Sequence, residues 1–226
     1  MLGLKIFRII LFLPLFLFSF LFAQDSLHTG LQIGGNLSSL TGGNLDKMEY
    51  FKNWGLNFGV YWNYSLNNFS DFVVEFRYIN KGTRWGCWFL GACDADHIFY
   101  RANYLELPIY YSLKPFYAKN KTKFLNLQLG PFISYAVSTS VEESYQIPSG
   151  YDIPDYGKLL DKETNKFDYG ISFSIQLFHD KLENVFMRLI YDLSLSSILK
   201  SGVATTPNDL SDRKMRSLIL FLGYEF

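Results

Sequence analysis

Residues 55–64 read GLNFGVYWNY. Leu56, Phe58, Val60, Trp62 and Tyr64 fall on one side of an extended chain, and Gly55, Asn57, Gly59, Tyr61 and Asn63 on the other. A β-strand points successive side chains to opposite faces, so a period of two separates an apolar face from a small or polar one. In a barrel that sits in lipid, the apolar face looks outward and the other face looks into the lumen.

The pattern recurs along the chain. In DYGISFSIQL, residues 168–177, Tyr169, Ile171, Phe173, Ile175 and Leu177 oppose Asp168, Gly170, Ser172, Ser174 and Gln176. Around 125–137, Leu125, Leu127, Leu129, Ile133, Tyr135 and Val137 oppose Asn126, Gln128, Gly130, Ser134 and Ala136. Five noisier strands complete a count of eight. The first sets Leu27, Leu31 and Ile33 against Gly30, Gln32 and Gly34. The third sets Phe72, Val74, Phe76 and Tyr78 against Glu75, Arg77 and Lys81. The fourth, near 104–113, carries Leu105, Leu107, Ile109, Tyr111 and Leu113 on one side. The seventh sets Val185, Met187, Leu189, Tyr191 and Leu193 against Arg188 and Asp192. The eighth, with Leu218, Leu220, Leu222, Tyr224 and Phe226 on one side, has weak contrast, because Ile219 and Phe221 lie on the other.

Short links are expected near 65–71, 114–123 and 178–184, and long ones near 38–53, 82–99, 138–166 and 195–214. Short and long alternate, as periplasmic turns and extracellular loops do in outer-membrane barrels. An even strand number then leaves both mature termini in the periplasm. Within lipid every backbone N–H and C=O must be paired, so such a sheet closes on itself. Eight strands enclose a lumen that side chains can fill. The expected fold is all-β, an eight-stranded antiparallel up-and-down transmembrane barrel.

The N-terminus fits export. Lys5 and Arg8 precede an apolar run from Ile9 to Phe22 that ends at Ala23. A positive start, a short apolar core and a small exit residue mark a secretory signal peptide, 1–23, leaving a barrel domain at 24–226. The run is shorter than the roughly 20 residues of a spanning helix. No Cys stands at the cleavage point, so a lipid anchor is not expected, and no second apolar run of helical spanning length follows. The chain has 21 Lys+Arg and 21 Asp+Glu; without Lys5 and Arg8 the count is 19 against 21, about −2. That balance offers no basic footprint for a nucleic-acid partner. Aromatic content is 19%, with 22 Phe and 16 Tyr. Aromatics favour strands and collect at membrane interfaces.

Five stretches stand in order: NYLELPIYYSLKP at 103–115, LNLQLGPFISY at 125–135, KFDYGISFSIQL at 166–177, FMRLIYDLSLSSI at 186–198 and SLILFLGYEF at 217–226. Together they resemble the PorT-like outer-membrane β-barrel family over nearly the whole mature chain. The most specific piece is Tyr104-Leu105-Glu106-Leu107-Pro108; the others are strand patterns, not catalytic signatures. The resemblance implies an eight-stranded barrel in the outer membrane of a Gram-negative envelope and no single activity, since some members serve protein secretion. The chain departs from the usual pattern in a Cys-bearing second loop and a long third loop. Its terminal Tyr224-Glu225-Phe226 resembles the aromatic signal read by barrel-assembly machinery, which would then be a partner alongside outer-membrane lipid.

By parity Glu75, Arg77, Glu106, Asp168, Arg188 and Asp192 point into the lumen. Buried charge is costly unless paired, so these six are expected to form an ion-pair and hydrogen-bond network. It can be structural, filling the barrel, or functional, as a gated ion path or ligand pocket. Pro108 and Pro131 lack a ladder donor and predict local bulges. Cys87 and Cys93, in RWGCWFLGACDADH at 84–97, are expected to form a disulfide in an oxidising compartment. The alternative, a metal cluster of Cys93, Asp94, Asp96 and His97, lacks an accepted zinc spacing. Trp85, Trp88, Phe89 and Leu90 of that loop suit either recognition or packing over the mouth.

No nucleophile elbow, phosphate loop or HExxH helix occurs. His28, His97 and His179 fall on strand one, loop two and a turn. The rim residues Asp94, Asp96, His97, Glu142, Glu143 and Asp152 show no catalytic pairing. No enzyme, cofactor or metal is therefore expected. The leading expectation is a plugged barrel whose outer loops or periplasmic turns contact a partner in secretion, envelope organisation or attachment. A narrow channel or small-ligand carrier is the alternative, and a secreted β-sandwich or lipocalin-like carrier a third.

Overall fold

The computed structural model describes residues 27–41, 50–86, 97–115, 125–144, 164–179, 182–198 and 214–226. These form eight strands: β1 (Leu27–Thr41), β2 (Tyr50–Asn67), β3 (Ser70–Gly86), β4 (His97–Leu113), β5 (Leu125–Ser144), β6 (Phe167–His179), β7 (Leu182–Ser194) and β8 (Lys214–Glu225). Each pairs antiparallel with the next, and β8 closes on β1 from Gly30↔Glu225 to Thr41↔Lys214. The barrel is closed, all-β and up-and-down, as the alternation predicts. Among the described residues no helix is long and apolar enough to cross a membrane; strands supply the wall.

The two faces separate cleanly. On β8, Leu218, Leu220, Leu222 and Tyr224 are exposed, while Met215, Ile219 and Phe221 are buried in the lumen. Leu56, Ile133 and Phe173 are likewise exposed on their strands. A continuous apolar outer wall of this extent marks a surface meant for lipid.

Strand length differs around the wall. β6, β7 and β8 have 13, 13 and 12 residues, close to the ~9–11 that cross a bilayer at a tilt. β2, β3, β4 and β5 have 18, 17, 17 and 20, so they run on past the membrane at the end opposite the termini. This corrects the expected loop boundaries. Residues 38–41, 50–53, 82–86, 97–99 and 138–144 belong to strands. The links become 42–49, 68–69, 87–96, 114–124, 145–166, 180–181 and 195–213. Strand extension at the loop end took up residues that polar composition had assigned to loops. His97 opens β4 and His179 ends β6, so neither lies in a link.

The bulge expected at Pro108 is also corrected. Arg77↔Glu106 and Val74↔Ile109 share one register, as do Pro108↔Phe132 and Tyr111↔Leu129. The β4–β5 shift instead lies between Asn103 and Tyr104. Pro131 stays in register opposite Ile171. A proline removes a donor, which interrupts a ladder without inserting the extra residue that defines a bulge.

Two inward glycines set where large side chains sit. Gly30 lies opposite Tyr61, and Gly223 opposite Phe186. A Cβ at either glycine would enter the ring across from it. Glycine there lets an aromatic ring lie across the neighbouring strand and fill the lumen.

Candidate functional site: the filled lumen

Strands β3, β4, β6 and β7 aim their odd or even faces at one point inside the barrel. Arg77 on β3 is fully buried and sits at the centre. It donates to Glu106 on β4 and to Asp192 on β7, and lies 3.9 Å from Glu75. Lys81, one inward step further along β3 from Ile79, reaches Glu106 at 2.6 Å and Asp168 at 3.8 Å. Arg188 on β7 reaches Glu75 at 2.9 Å and donates to Ser174 at 2.8 Å. The six residues named from parity are thus brought into one connected set.

Several members were not in that set. Parity places Lys81 inward, and the structure adds it to the network. Gln32 of β1 donates to Glu75. Ser172 donates to Asp192 at 2.5 Å and meets the Tyr110 hydroxyl at 2.8 Å. Ser194 and Ser196 donate to Asp168 at 2.8 and 2.5 Å. Tyr110 lies under the Arg188 guanidinium, 4.8 Å from ring centroid to Cζ, and Lys81 Nζ is 4.9 Å from the Phe132 ring. Partner sequence separations such as 115 residues for Arg77 to Asp192 explain the omission. No single strand's pattern tells which inward residues meet across a lumen.

Two apolar clusters pack against this charged layer. In one, Ile79, Tyr104, Ile190, Met215, Ile219 and Phe221 pack together at the height of the charges, with Phe221 opposite Arg188. Towards the turn end, Tyr61, Val73, Tyr110, Phe178 and Phe186 do so. Beyond the second cluster Tyr61 donates to Glu225 at 2.9 Å, and Lys114 pairs with Asp71 at 2.5 Å. The His28 ring nitrogen stands 3.9 Å from Glu225.

Chemically, the charged layer is closely paired, with Arg188 Nη2 the one atom of its charged side chains without a hydrogen bond among the described residues. Each carboxylate of Glu75, Glu106, Asp168 and Asp192 meets a cation, a hydroxyl or an amide. Such pairing is what keeps ionic groups tolerable away from water. Among the described residues no group of three or more His, Cys, Asp or Glu is placed to hold a metal ion. Residues 1–23, Cys87, Cys93, Asp94, Asp96 and the aromatic cluster Trp88, Phe89 and Leu90 lie outside the described residues.

A family model for the outer membrane protein β-barrel domain matches residues 22–200. The chain belongs to this family. As an outer membrane protein β-barrel, it is integral to the outer membrane, with the apolar wall in lipid and the charged layer enclosed. No curated protein sequence matches it. Solved structures of similar form include the attachment invasion locus protein Ail of Yersinia pestis, in complex with the heparin analogue sucrose octasulfate. It is 13% identical, with a TM-score of 0.43, over 89% of this chain and 99% of that one. Neisserial surface protein A is 12% identical, TM-score 0.41, over 88% and 97%. OprG from Pseudomonas aeruginosa is 11% identical, TM-score 0.41, over 88% and 94%.

Proposed function

We propose that this outer-membrane barrel is a plugged, non-enzymatic scaffold of PorT-like type. Its work is done outside the lumen, by extracellular loops or periplasmic turns that contact a partner in secretion, envelope organisation or attachment. The observation that carries this reading is the lumen itself. A paired charged network packed against two apolar clusters leaves the interior occupied, so a path through it needs several ion pairs broken together. Residues 1–23 act as a cleaved signal peptide, and both mature termini lie in the periplasm. Cys87 and Cys93 form a disulfide in loop two, and the C-terminal aromatic strand engages the assembly machinery.

A planar-bilayer recording tests the plug. The expected trace has no stable open level; a steady, ohmic, large conductance overturns the reading. The alternative, a narrow hydrated path, draws on one observation. The buried side-chain amides of Asn36 and Asn57 have no hydrogen-bond partner among the described residues, so they suit ordered water. Maleimide labelling of a cysteine placed within 145–163, in intact cells, tests the orientation.

A further inference from the structure

The connected charges of the lumen do not balance. The cations of the network are Arg77, Lys81 and Arg188, and its carboxylates are Glu75, Glu106, Asp168 and Asp192. Three cations against four carboxylates leave one negative charge over if every group is ionised. The other buried carboxylates stand apart from this set. Asp71 pairs with Lys114, and Glu225 accepts from Tyr61 beside His28.

The hydrogen bonds show where the shortfall lies. Glu75 holds Arg188, Glu106 holds Arg77 and Lys81, and Asp192 holds Arg77. Asp168, the second residue of β6, is hydrogen-bonded to no cation among the described residues. Ser194 and Ser196 donate to its Oδ2 and Oδ1 at 2.8 and 2.5 Å. Lys81 Nζ stays 3.8 Å away, held by Glu106 at 2.6 Å. The groups around Asp168 are Lys81 from β3, Tyr104 and Glu106 from β4 on either side of that lysine, and Ser134 from β5. From β7 come Ser194, Ser196 just beyond the strand, and Asp192 one inward step below Ser194. A buried carboxylate without a bonded cation and with other carboxylates near it neutralises by taking a proton. A serine hydroxyl accepts from the acid as readily as it donates to the carboxylate. Asp168 is 7% exposed, against 0–1% for the other six charged groups, so it is the member that water reaches first.

We propose that the network binds one exchangeable proton on Asp168, and that losing this proton to water at the loop end draws Lys81 from Glu106 towards Asp168. The assignment rests on the reading that the lumen is filled, since water in an open lumen would screen the surplus charge. Neutral Asp168 leaves Lys81 to Glu106. Ionised Asp168 competes with Glu106 for the one ammonium between them. The plug therefore changes its pairing with the pH at the loop end, and Lys81 is the part that moves.

The test uses the full chain refolded into phosphatidylcholine vesicles in heavy water. Infrared spectroscopy reads a protonated carboxyl by its C=O stretch, apart from ionised carboxylates and amides. At neutral pH the wild type should show such a band. The band should vanish as the pH is raised, be absent from Asp168→Asn, and remain in Asp71→Asn and Glu225→Gln. Heat-modifiable migration verifies that each variant folds. Linkage gives a second readout. In the unfolded chain an exposed aspartate ionises near about pH 4, whereas Asp168 stays neutral in the folded one. Stability from this group is therefore complete below about pH 4 and is lost as the pH rises towards the point where the band disappears. Across that window the wild-type unfolding constant in urea should rise about tenfold per pH unit relative to Asp168→Asn. No band in the wild type at neutral pH, a band that survives Asp168→Asn, or the same pH dependence in both chains overturns the proposal. Stability that follows sodium concentration in place of pH assigns the missing charge to a metal ion and overturns the proton. A conducting bilayer fails the filled lumen, whereas a silent bilayer without the band fails the proton alone.

Discussion

Replacing Arg77 with Met isolates what the central guanidinium does. The substitution keeps most of the side-chain volume and removes the charge that bridges Glu106, Asp192 and Glu75. Two of the three carboxylates retain a cation, since Glu106 keeps Lys81 and Glu75 keeps Arg188. Asp192 keeps only a hydroxyl contact from Ser172 among its described bonds, at 1% exposure. The cost is therefore that of one uncompensated buried charge, about 3–5 kcal/mol. Asp192→Asn alone leaves Arg77 bonded to Glu106 and removes one charged hydrogen bond, about 1–2 kcal/mol. In Arg77→Met/Asp192→Asn the stranded charge is gone, so the double variant should be more stable than Arg77→Met alone by about 1–2 kcal/mol. The coupling is then about −2 to −4 kcal/mol. Urea unfolding in lipid vesicles, followed by tryptophan fluorescence and by heat-modifiable migration, reads these differences. With a slope of about 2 kcal/mol per M, Arg77→Met lowers the midpoint by roughly 1.5–2.5 M. A loss under about 1 kcal/mol for Arg77→Met, or a double variant no more stable than Arg77→Met, refutes the idea that Arg77 neutralises a buried carboxylate.

Gly223→Ala drives a Cβ into the Phe186 ring; we expect a loss of about 1–3 kcal/mol in the same unfolding assay, partly restored by Phe186→Leu. Leu220→Arg puts a cation midway along the lipid face of β8; a loss of about 2–4 kcal/mol is expected in vesicles, against a small effect if that face met water. Mass spectrometry without reductant should give the exported chain two mass units lighter than its reduced form if Cys87 and Cys93 are bridged; two free thiols remove the disulfide.

Much of this architecture was legible from one sequence because a barrel wall is a local object. Parity along a strand decides which side chains face lipid. That sufficed to place Glu75, Arg77, Glu106, Asp168, Arg188 and Asp192 inside. Partner choice was not legible, because it depends on how far the strands stagger before β8 meets β1. Gln32 meets Glu75 on β3, and Tyr61 on β2 meets Glu225 on β8, for that reason. Strand ends were misjudged for a related cause. Residues such as Ser138 and Ser140 look like loop, yet they continue β5 above the membrane, where a polar outward face is no penalty.

The most informative signal was where alternation broke down. β8 looked ambiguous because Ile219 and Phe221 occupy the face that should be polar or small. In the folded barrel these two join Ile79, Ile190 and Met215 in one apolar cluster inside the lumen, with Phe221 opposite Arg188 and Ile219 opposite Ile190. An open water-filled lumen would keep polar residues on the inward face along the whole strand. The cluster stands beside the charged network and not above it, since Lys81 and Asp192 lie one inward step nearer the loop end than Ile79 and Ile190. Apolar side chains packed at the height of the ion pairs keep water from them, which raises the cost of parting Arg77 from Glu106 and Asp192. Weak contrast in the last strand is thus the signature of a filled lumen.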